Sequence, residues 1–338
     1  MSDLSVTYLG MKLKNPVIAG ASGLTASIDF IKRIEQAGAG AIVCKSLFEE
    51  EILLQTLKHN KDIHQYDNWH AEMTSIFPDI EAKALENHLY WVRKAKEEVK
   101  IPVIGSLNAV SEEIWLDYSE EMVKTGIDAL ELNFYSAPGF ESEPSEAIEK
   151  KQLEILKKIR KAVSIPIVVK LSHFYTNPVH FIRELDNIGI NGFVLFNRLF
   201  QPNINIDEET NTFPYTFSHK EDNRLALRYS ALLYGELKGS VCASTGILDS
   251  HDVIRMLLAG ADAVQMVSGL YANGVEHIAT LINEISQWME KKDYEKIDDF
   301  KGKLSRKNLG QKDAWIYKRT QYVKMLMQTS ESLMKQII

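Results

Sequence analysis

Two short sequence patterns alternate along this chain, and their alternation limits what the chain can fold into more than any other feature. In one pattern a glycine shortly precedes an apolar run, and in the other a polar break, usually with proline, precedes it. The first pattern begins at Gly38, Gly126, Gly189 and Gly260, and the second at Asn15, Ile101, Ile165 and Lys238. Short, mostly apolar runs are typical of parallel strands buried on both faces. The two patterns together predict eight such strands.

Segments with helical periodicity lie between these strands. They cover Ala26–Ala37, Glu112–Thr125, Ser145–Val163, Pro178–Asn187, Asn223–Leu237, Asp249–Ala259 and Gly274–Glu290. Ser111 and Asp249 stand where an N-cap is expected. Strands and helices that alternate eight times with right-handed crossovers predict an α/β fold, a (β/α)8 TIM barrel. A doubly wound sheet is the alternative, but the chain lacks a GxGxxG fingerprint after its first strand.

Two regions exceed a minimal barrel. Residues 46–100 separate the second strand from the third by about 55 residues, whereas such connections usually have about 2–6. We therefore expect an insertion there, with a helix from Ile80, that partly covers the barrel mouth. The barrel is predicted to span residues 1–300, followed by a helical extension, 301–338. Trp315–Ile338 has an amphipathic helical pattern, which predicts packing on the barrel or on a partner subunit.

Composition excludes several classes of protein. The formal net charge of −7 argues against a nucleic-acid partner and favours a small-molecule ligand. The N-terminus lacks a signal-peptide pattern, and no apolar run approaches the roughly 18 residues of a membrane span, so we expect a cytoplasmic protein without membrane contact. Cys44 and Cys242 lie in predicted strands, which indicates buried thiols. Two cysteines are too few for an iron–sulfur cluster.

Small, polar and charged residues cluster at the carboxyl ends of the predicted strands. In a barrel these ends meet at one rim, where the fold keeps its active site. The rim residues are Ala21, Ser22, Gly23, Lys45, Ser46, Ser106, Asn108, Asn133, Lys170, Ser172, Asn197, Arg198, Ser244, Thr245, Gly246, Ser268 and Gly269. Each of them alone could simply cap the rim, but their combination predicts a binding site.

The residue types at this rim favour a bound cofactor over direct hydrolysis or a metal site. They include two lysines and several asparagines, without a Ser/His/Asp set, an HExxH motif or a carboxylate cluster. Barrels commonly bind phosphate with the backbone N–H groups of the last two strand–helix loops. A phosphorylated cofactor would therefore place its phosphate near Thr245, Gly246, Ser268 and Gly269.

Phrases spread over nearly the whole chain resemble the dihydroorotate dehydrogenase family of FMN-dependent (β/α)8 barrels. They are NPVIAGASG, CKS, ELN, VVKL, FNR, STGI and VSGL. Three longer phrases, SLFEEEI, IGSLNAVS and VLFNRLFQP, are similar to the subgroup of dihydroorotate dehydrogenase-like proteins. The resemblance implies that FMN is the cofactor.

The resemblance also implies roles for individual rim residues. Ala21, Ser22 and Gly23 approach the flavin, and Lys45, Asn108, Asn133 and Lys170 contact its ring or ribityl chain. The remaining cofactor residues are Asn197, Ser244, Thr245, Gly246, Ser268 and Gly269, the last four at the phosphate. Lys170 would act catalytically, because a cation beside the ring stabilises the charge that a transferred hydride brings. A buried lysine paired with a carboxylate is the less favoured interpretation.

The substrate side departs from the family pattern. Counted from Asn133, Ser136 falls on the position of the catalytic base, but the Pro-Asn that follows in the family is replaced by Ala137-Pro138. Serine is a poor base at neutral pH unless a neighbour relays its proton. Asn133 and Asn197 match substrate-binding positions, whereas Arg198 replaces a serine or threonine. The resemblance therefore supports the cofactor more strongly than the substrate.

The leading hypothesis is an FMN oxidoreductase that acts on a CH–CH bond of a small planar metabolite. The named candidate is the oxidation of dihydroorotate to orotate in pyrimidine biosynthesis, although the departures predict that this substrate reacts slowly. One alternative keeps FMN with another substrate, whose anionic group Arg198 could bind, and another is a flavin-free barrel for a phosphorylated ligand. A soluble electron acceptor is expected, and a homodimer is one expectation because the family often forms dimers.

Overall fold

The computed structural model describes residues 2–52, 80–109, 111–134, 144–198, 202–212, 216–310, 314–317 and 321–328. Its strands are β1 Val6–Tyr8, β2 Met11–Leu13, β3 Val17–Ala19, β4 Ala41–Val43, β5 Leu47–Phe48, β6 Val103–Asn108, β7 Ala129–Phe134, β8 Ile167–Leu171, β9 Gly192–Leu195, β10 Asn203–Asn205, β11 Thr210–Thr212, β12 Ser240–Ser244 and β13 Ala263–Met266.

Eight of these strands form a closed parallel barrel. Their order around the barrel is β4-β3-β13-β12-β9-β8-β7-β6, and β6 pairs back with β4 through Ile42 and Val103. Each barrel strand overlaps one of the eight predicted runs, so the predicted α/β barrel is confirmed. The barrel strands are buried on both faces, apart from Ser240 at the start of β12, because helices cover the outside and side chains fill the inside.

Helices follow the barrel strands and shield them from solvent. The described helices are Ile28–Gln36, Ile80–Glu98, Glu112–Val123, Ser145–Ala162, Pro178–Asn187, Arg224–Leu233, Ser250–Ala259, Ser268–Asn273 and His277–Lys291, and residues 321–328 are also helical. Both predicted caps form: Ser111 Oγ accepts from the Ile114 N–H, and Asp249 forms a capping box with Asp252. Asn177 caps a further helix whose first residue is Pro178.

An N-terminal hairpin, β1–β2, closes the end of the barrel opposite the rim. Its two-residue turn is Leu9-Gly10, and both residues have positive φ. The Leu9 N–H donates to Ser240 Oγ at the start of β12, and Tyr8 is fully buried. This hairpin was not predicted from the sequence, since leucine is an unusual turn residue. Strand β5, the exposed hairpin β10–β11 and the helix Ser268–Asn273 were not predicted either.

The C-terminal region returns to the barrel helices. The backbone N–H groups of Gly302, Leu304 and Arg306 donate to carbonyls of the helices Ser250–Ala259 and Arg224–Leu233. Residues 302–306 therefore pack on the barrel helices, whereas the division of the chain at residue 300 and the packing of Trp315–Ile338 stay predictions. Large apolar side chains in the helical stretch 321–328 are exposed. Residues 329–338 of the predicted amphipathic helix lie outside the described residues.

Both cysteines are free and buried, as predicted. Burial raises the pKa of Cys44 to about 12 and raises the pKa of Cys242 as well, so both thiols stay protonated at neutral pH. Among the described residues, no helix has both the length and the apolar character needed to cross a bilayer.

Candidate active site

A cavity of about 390 Å³ opens at the carboxyl ends of the barrel strands. The end of each barrel strand, or the residues just after it, contributes to its walls. The predicted rim residues that line it are Ala21, Ser22, Gly23, Lys45, Ser46, Asn108, Asn133, Lys170, Asn197, Arg198, Ser244, Thr245, Gly246 and Ser268. Residues from distant parts of the sequence thus share one cavity, because parallel strands end at the same rim. Their binding of a flavin stays a prediction.

One predicted site residue, Gly269, is placed differently. Gly269 is not among the residues lining this cavity, and a Cβ there would lie 3.0 Å from Met266 Sδ and 3.1 Å from the Ile247 carbonyl oxygen. The glycine therefore allows the short helix Ser268–Asn273 to pack closely against β13. Ser136, the predicted base, lies outside the described residues.

The cavity also contains residues that the sequence analysis did not select: Phe48, Thr216, Phe217, Ser218, Ile247, Gln265 and Val267. Gln265 had a recognisable signal, because a polar residue interrupts the apolar run of β13. The segment 216–218 had no such signal. It reaches the site from a long connection, where the Ser218 N–H donates to Ser268 Oγ at 3.0 Å.

Lys170 lies in the floor of the cavity and is only 7% exposed. Its Nζ donates to Gln265 Oε1 at 3.2 Å and lies 3.7 Å from Glu131 Oε1. Gln265 in turn donates to the other carboxylate oxygen of Glu131, which is fully buried. Pairing with a carboxylate was the less favoured alternative to a catalytic role of Lys170 beside the flavin. The structure shows both features together.

Asn133 belongs to a second buried network beside this lysine. Its amide nitrogen donates to Ser106 Oγ at 3.0 Å and to the Leu107 carbonyl at 3.1 Å. Ser106 is also linked to Ser46, with 2.7 Å between their hydroxyl oxygens. Because both amide hydrogens are used within the protein, the amide oxygen of Asn133 is the group that can accept a hydrogen bond from a ligand.

Lys45 lines the cavity as predicted, but its ammonium group is held by a neighbour. Nζ contacts both carboxylate oxygens of Glu51, at 2.9 and 3.0 Å. His88, on the helix Ile80–Glu98, lies in the same environment: burial lowers the pKa of His88 to about 4, and the charge of Lys45 adds to this effect. His88 is therefore neutral at physiological pH.

The loop after β12 has a backbone shape that few residues adopt. Thr245 and Gly246 both have left-handed φ, 74° and 71°. Thr245 Oγ1 donates to the Phe196 carbonyl at 3.0 Å, and Asn223 Nδ2 donates to the Gly246 carbonyl at 2.9 Å. The loop is therefore held in place before any ligand binds, as a phosphate site requires.

Gly246→Ala is expected to destabilise this loop and to lower flavin content. The new Cβ would lie 2.6 Å from the Asn223 backbone nitrogen and 3.0 Å from the His219 carbonyl oxygen. The clash is with backbone and adds to the cost of left-handed φ, about 1–2 kcal/mol. Gly126→Ala is the matched control, since Gly126 has φ of 84° and no heavy atom within 4 Å of a Cβ.

Thermal unfolding and flavin absorbance measure this effect. The control should lose about 2–4 °C in Tm per kcal/mol of strain and keep its flavin. Gly246→Ala should have a lower Tm than the control and should also lose flavin. Equal melting temperatures and equal flavin contents in the two variants would contradict the prediction that the loop of Gly246 holds the flavin phosphate.

Arg198 stands between this cavity and a second one of about 580 Å³. Its guanidinium donates to the carbonyl of Thr216 and, at 3.0 Å, to the hydroxyl of the same residue. Within the described parts of the chain, no carboxylate forms a salt bridge with Arg198. His173 and Phe196 line the second cavity, with ring centroids 6.3 Å apart. An anionic group at the boundary could therefore bind Arg198.

Comparisons with known proteins agree with this arrangement. The family model described as dihydroorotate dehydrogenase matches residues 3–289. The chain belongs to the dihydroorotate dehydrogenase family. Members of this family are oxidoreductases and depend in general on a flavin. The family match covers the barrel, including all the rim residues described above.

Curated relatives are similar over most of the chain. The catalytic subunit of dihydroorotate dehydrogenase B (NAD(+)) from Thermoplasma volcanium is 26% identical over 314 residues, covering 89% of this chain and 98% of the relative. The protein of the same name from Methanocaldococcus jannaschii is 26% identical over 300 residues, covering 85% and 94%. Chloroplastic dihydropyrimidine dehydrogenase (NADP(+)) from Arabidopsis thaliana is 23% identical over 327 residues, covering 89% and 76%.

Proposed function

We propose that this protein is an FMN-dependent oxidoreductase that acts on a CH–CH bond of a small planar metabolite, with dihydroorotate as the named candidate. The observation that carries the proposal is the position of Lys170, a buried cation in the floor of a cavity at the barrel mouth. A buried charge beside a ligand cavity is costly unless a neighbouring group or a bound ligand compensates it. The family relationship indicates that the ligand is a flavin.

The residues around the cavity fit FMN. A flavin ring has apolar faces and polar edges, and the cavity offers Phe48, Ile247 and Val267 as well as the amides of Asn108 and Asn133. The phosphate would be held by the loops of Thr245, Gly246 and Ser268, where hydroxyls and backbone N–H groups are available. The volume of about 390 Å³ lies in the range of about 300–1,000 Å³ that ligand cavities have.

In the proposed reaction the cofactor accepts the hydride, and side chains of the protein position the ligand and stabilise the developing charge. Bound FMN would supply the acceptor for the hydride that leaves the substrate. Lys170 would hold a positive charge where negative charge develops, and Asn133 would orient the ligand through its free amide oxygen. We also propose, from the family resemblance alone, that Ser136 takes the proton that leaves the neighbouring carbon.

Asn133, Asn197 and Arg198 are the proposed substrate residues. The relatives are named for dihydroorotate and dihydropyrimidine, which are both small reduced pyrimidine rings. Arg198 lies at the boundary of the two cavities, so an anionic substituent of the substrate would bind there. Such a site fits dihydroorotate, which carries a carboxylate, and equally the alternative in which FMN is kept and the substrate is another planar anion.

A soluble electron acceptor, a cytoplasmic location and a homodimer complete the proposal. The acceptor and the location are proposed because the sequence contains no apolar run long enough for a membrane span. The homodimer is proposed because members of the family often form dimers. The exposed apolar side chains in residues 321–328 are compatible with contact to a second copy. Size-exclusion chromatography with light scattering measures the oligomeric state directly.

The purified protein is expected to be yellow and to release FMN when denatured. After removal of the flavin, the protein should rebind FMN about 10²-fold more tightly than riboflavin, because hydrogen bonds to a charged group contribute about 1.5–3 kcal/mol each. Fluorescence titration measures both affinities. A colourless protein that binds neither flavin would reject the proposal and favour the flavin-free barrel for a phosphorylated ligand.

A further inference from the structure

Glu131 is a carboxylate in the interior of the barrel, and its environment only partly compensates for its charge. It lies in the middle of β7 and is fully buried. Oε2 accepts a hydrogen bond from Gln265, whereas Oε1 has no hydrogen-bond partner among the described residues. An ionised carboxylate in such a place is strongly destabilising unless a cation lies nearby. The cation is Lys170, with Nζ 3.7 Å from Oε1.

Gln265 joins the two charged groups. Its amide nitrogen donates to Glu131, and its amide oxygen accepts from Lys170 at 3.2 Å. The three side chains come from β7, β8 and β13, so the contacts cross the inside of the barrel. Since each end of the amide has a fixed partner, a rotation of Gln265 by half a turn would break both hydrogen bonds.

The three groups have a defined order relative to the cavity. Lys170 and Gln265 line it, whereas Glu131 does not. The carboxylate therefore lies behind the lysine as seen from the ligand. A ligand in the cavity meets the positive charge first, with a negative charge close behind that weakens its effect.

We propose that Glu131 is a positioning residue for Lys170, and that it lowers the midpoint potential of the flavin by partly compensating the lysine charge. The inference rests on the proposed function, because it requires a flavin in the cavity. It assigns a role in the reaction to a residue that touches neither cofactor nor substrate. Gln265 is the link that keeps the ammonium group in place.

Glu131→Gln tests the inference because it keeps the shape and removes the charge. The negative charge behind Lys170 is then absent, so the variant should stabilise the reduced flavin. We expect the equilibrium to shift by about tenfold, which is about 30 mV upward for a two-electron couple. The readout is a redox titration against a reference dye.

Asp262→Asn is the matched control. Asp262 is also a carboxylate of the barrel, but its partners are the Val241 N–H and Lys301, and it does not line the cavity. The same chemical change at this position should reduce stability and leave the potential unchanged. The separate variant Glu131→Asp keeps the negative charge, so its midpoint potential should lie close to that of the unaltered protein. Equal shifts in Glu131→Gln and Asp262→Asn would overturn the inference.

A second readout does not need the flavin. In the apoprotein, Glu131→Gln removes the attraction between the carboxylate and Lys170 Nζ, so the amine is less restrained by its neighbours. Acylation of Lys170 by an amine-reactive reagent at pH 8, followed by peptide mass spectrometry, should be about tenfold faster than without the substitution. An unchanged rate would reject the coupling between the two residues. If the protein binds no FMN, the proposed function fails, and this measurement still decides the coupling.

Discussion

Lys170→Ala is expected to slow reduction of the flavin by about 10²–10³-fold, the usual effect of losing one preorganised charge contact. The ammonium group lies in the cavity floor, and its two polar neighbours, Gln265 and Glu131, hold it there. Without it, negative charge on the reduced ring would face the carboxylate of Glu131. The midpoint potential should therefore fall as well.

The same substitution should also destabilise the protein, and this effect has to be separated from the first. Removing one partner of a buried ion pair commonly costs about 3–5 kcal/mol, because the other charge stays buried. The double variant Lys170→Met with Glu131→Gln removes both charges. It should recover most of the stability and none of the rate, because the cation at the cavity is still absent.

Stopped-flow measurement of flavin reduction, together with thermal unfolding of the apoproteins, distinguishes these effects. Lys170→Arg provides a further comparison, since it keeps the charge with a different shape. If Lys170→Ala reduced the flavin at the original rate and potential, the lysine would have no part in the chemistry. A double variant that recovered both stability and rate would indicate a purely structural role.

Much of the fold follows from the sequence, because each barrel strand is preceded by a glycine or proline signal and is mostly apolar. In the structure a strand overlaps each of these runs, from Val17–Ala19 to Ala263–Met266. The hairpin β1–β2 was missed because its turn depends on Leu9 at a positive φ, for which leucine carries no local signal. The contact of Leu9 with Ser240 explains why this costly conformation persists.

The sequence predicts which side chains lie at the rim, but not how the side chains of the site contact one another. The end of a strand can be predicted from where its apolar run stops, so the side chains at the rim could be predicted from the sequence. Glu131 and Gln265 could not be joined to Lys170, because the contact depends on how strands far apart in sequence are staggered around the barrel. Ser218, likewise, reaches Ser268 only through the path of a long connection.

L-dihydroorotate is expected to reduce this protein slowly, although the chain belongs to the dihydroorotate dehydrogenase family. Oxidation of a CH–CH bond requires the substrate to lie in register with both the flavin and a base. The family resemblance assigns part of that positioning to a hydroxyl residue where this chain has Arg198. In the structure, Arg198 spans the boundary of the two cavities and is held by Thr216. A misplacement of about 1 Å can reduce the rate about 10²-fold.

The catalytic subunit of dihydroorotate dehydrogenase B from Thermoplasma volcanium is the natural reference for this experiment. Both oxidised proteins would be mixed anaerobically with the same concentration of L-dihydroorotate, and loss of flavin absorbance would be followed. The rate in the present protein should be at least about 10²-fold lower. Dithionite should still reduce its flavin fully, since the expected defect lies in placing the substrate and leaves the flavin competent. Bleaching as fast as in the reference, and abolished by Ser136→Ala, would contradict the prediction and establish dihydroorotate as the substrate. If dihydroorotate reduces the flavin slowly and a planar anion with a longer acidic substituent reduces it faster, the specificity would instead be located at Arg198, which lines both cavities.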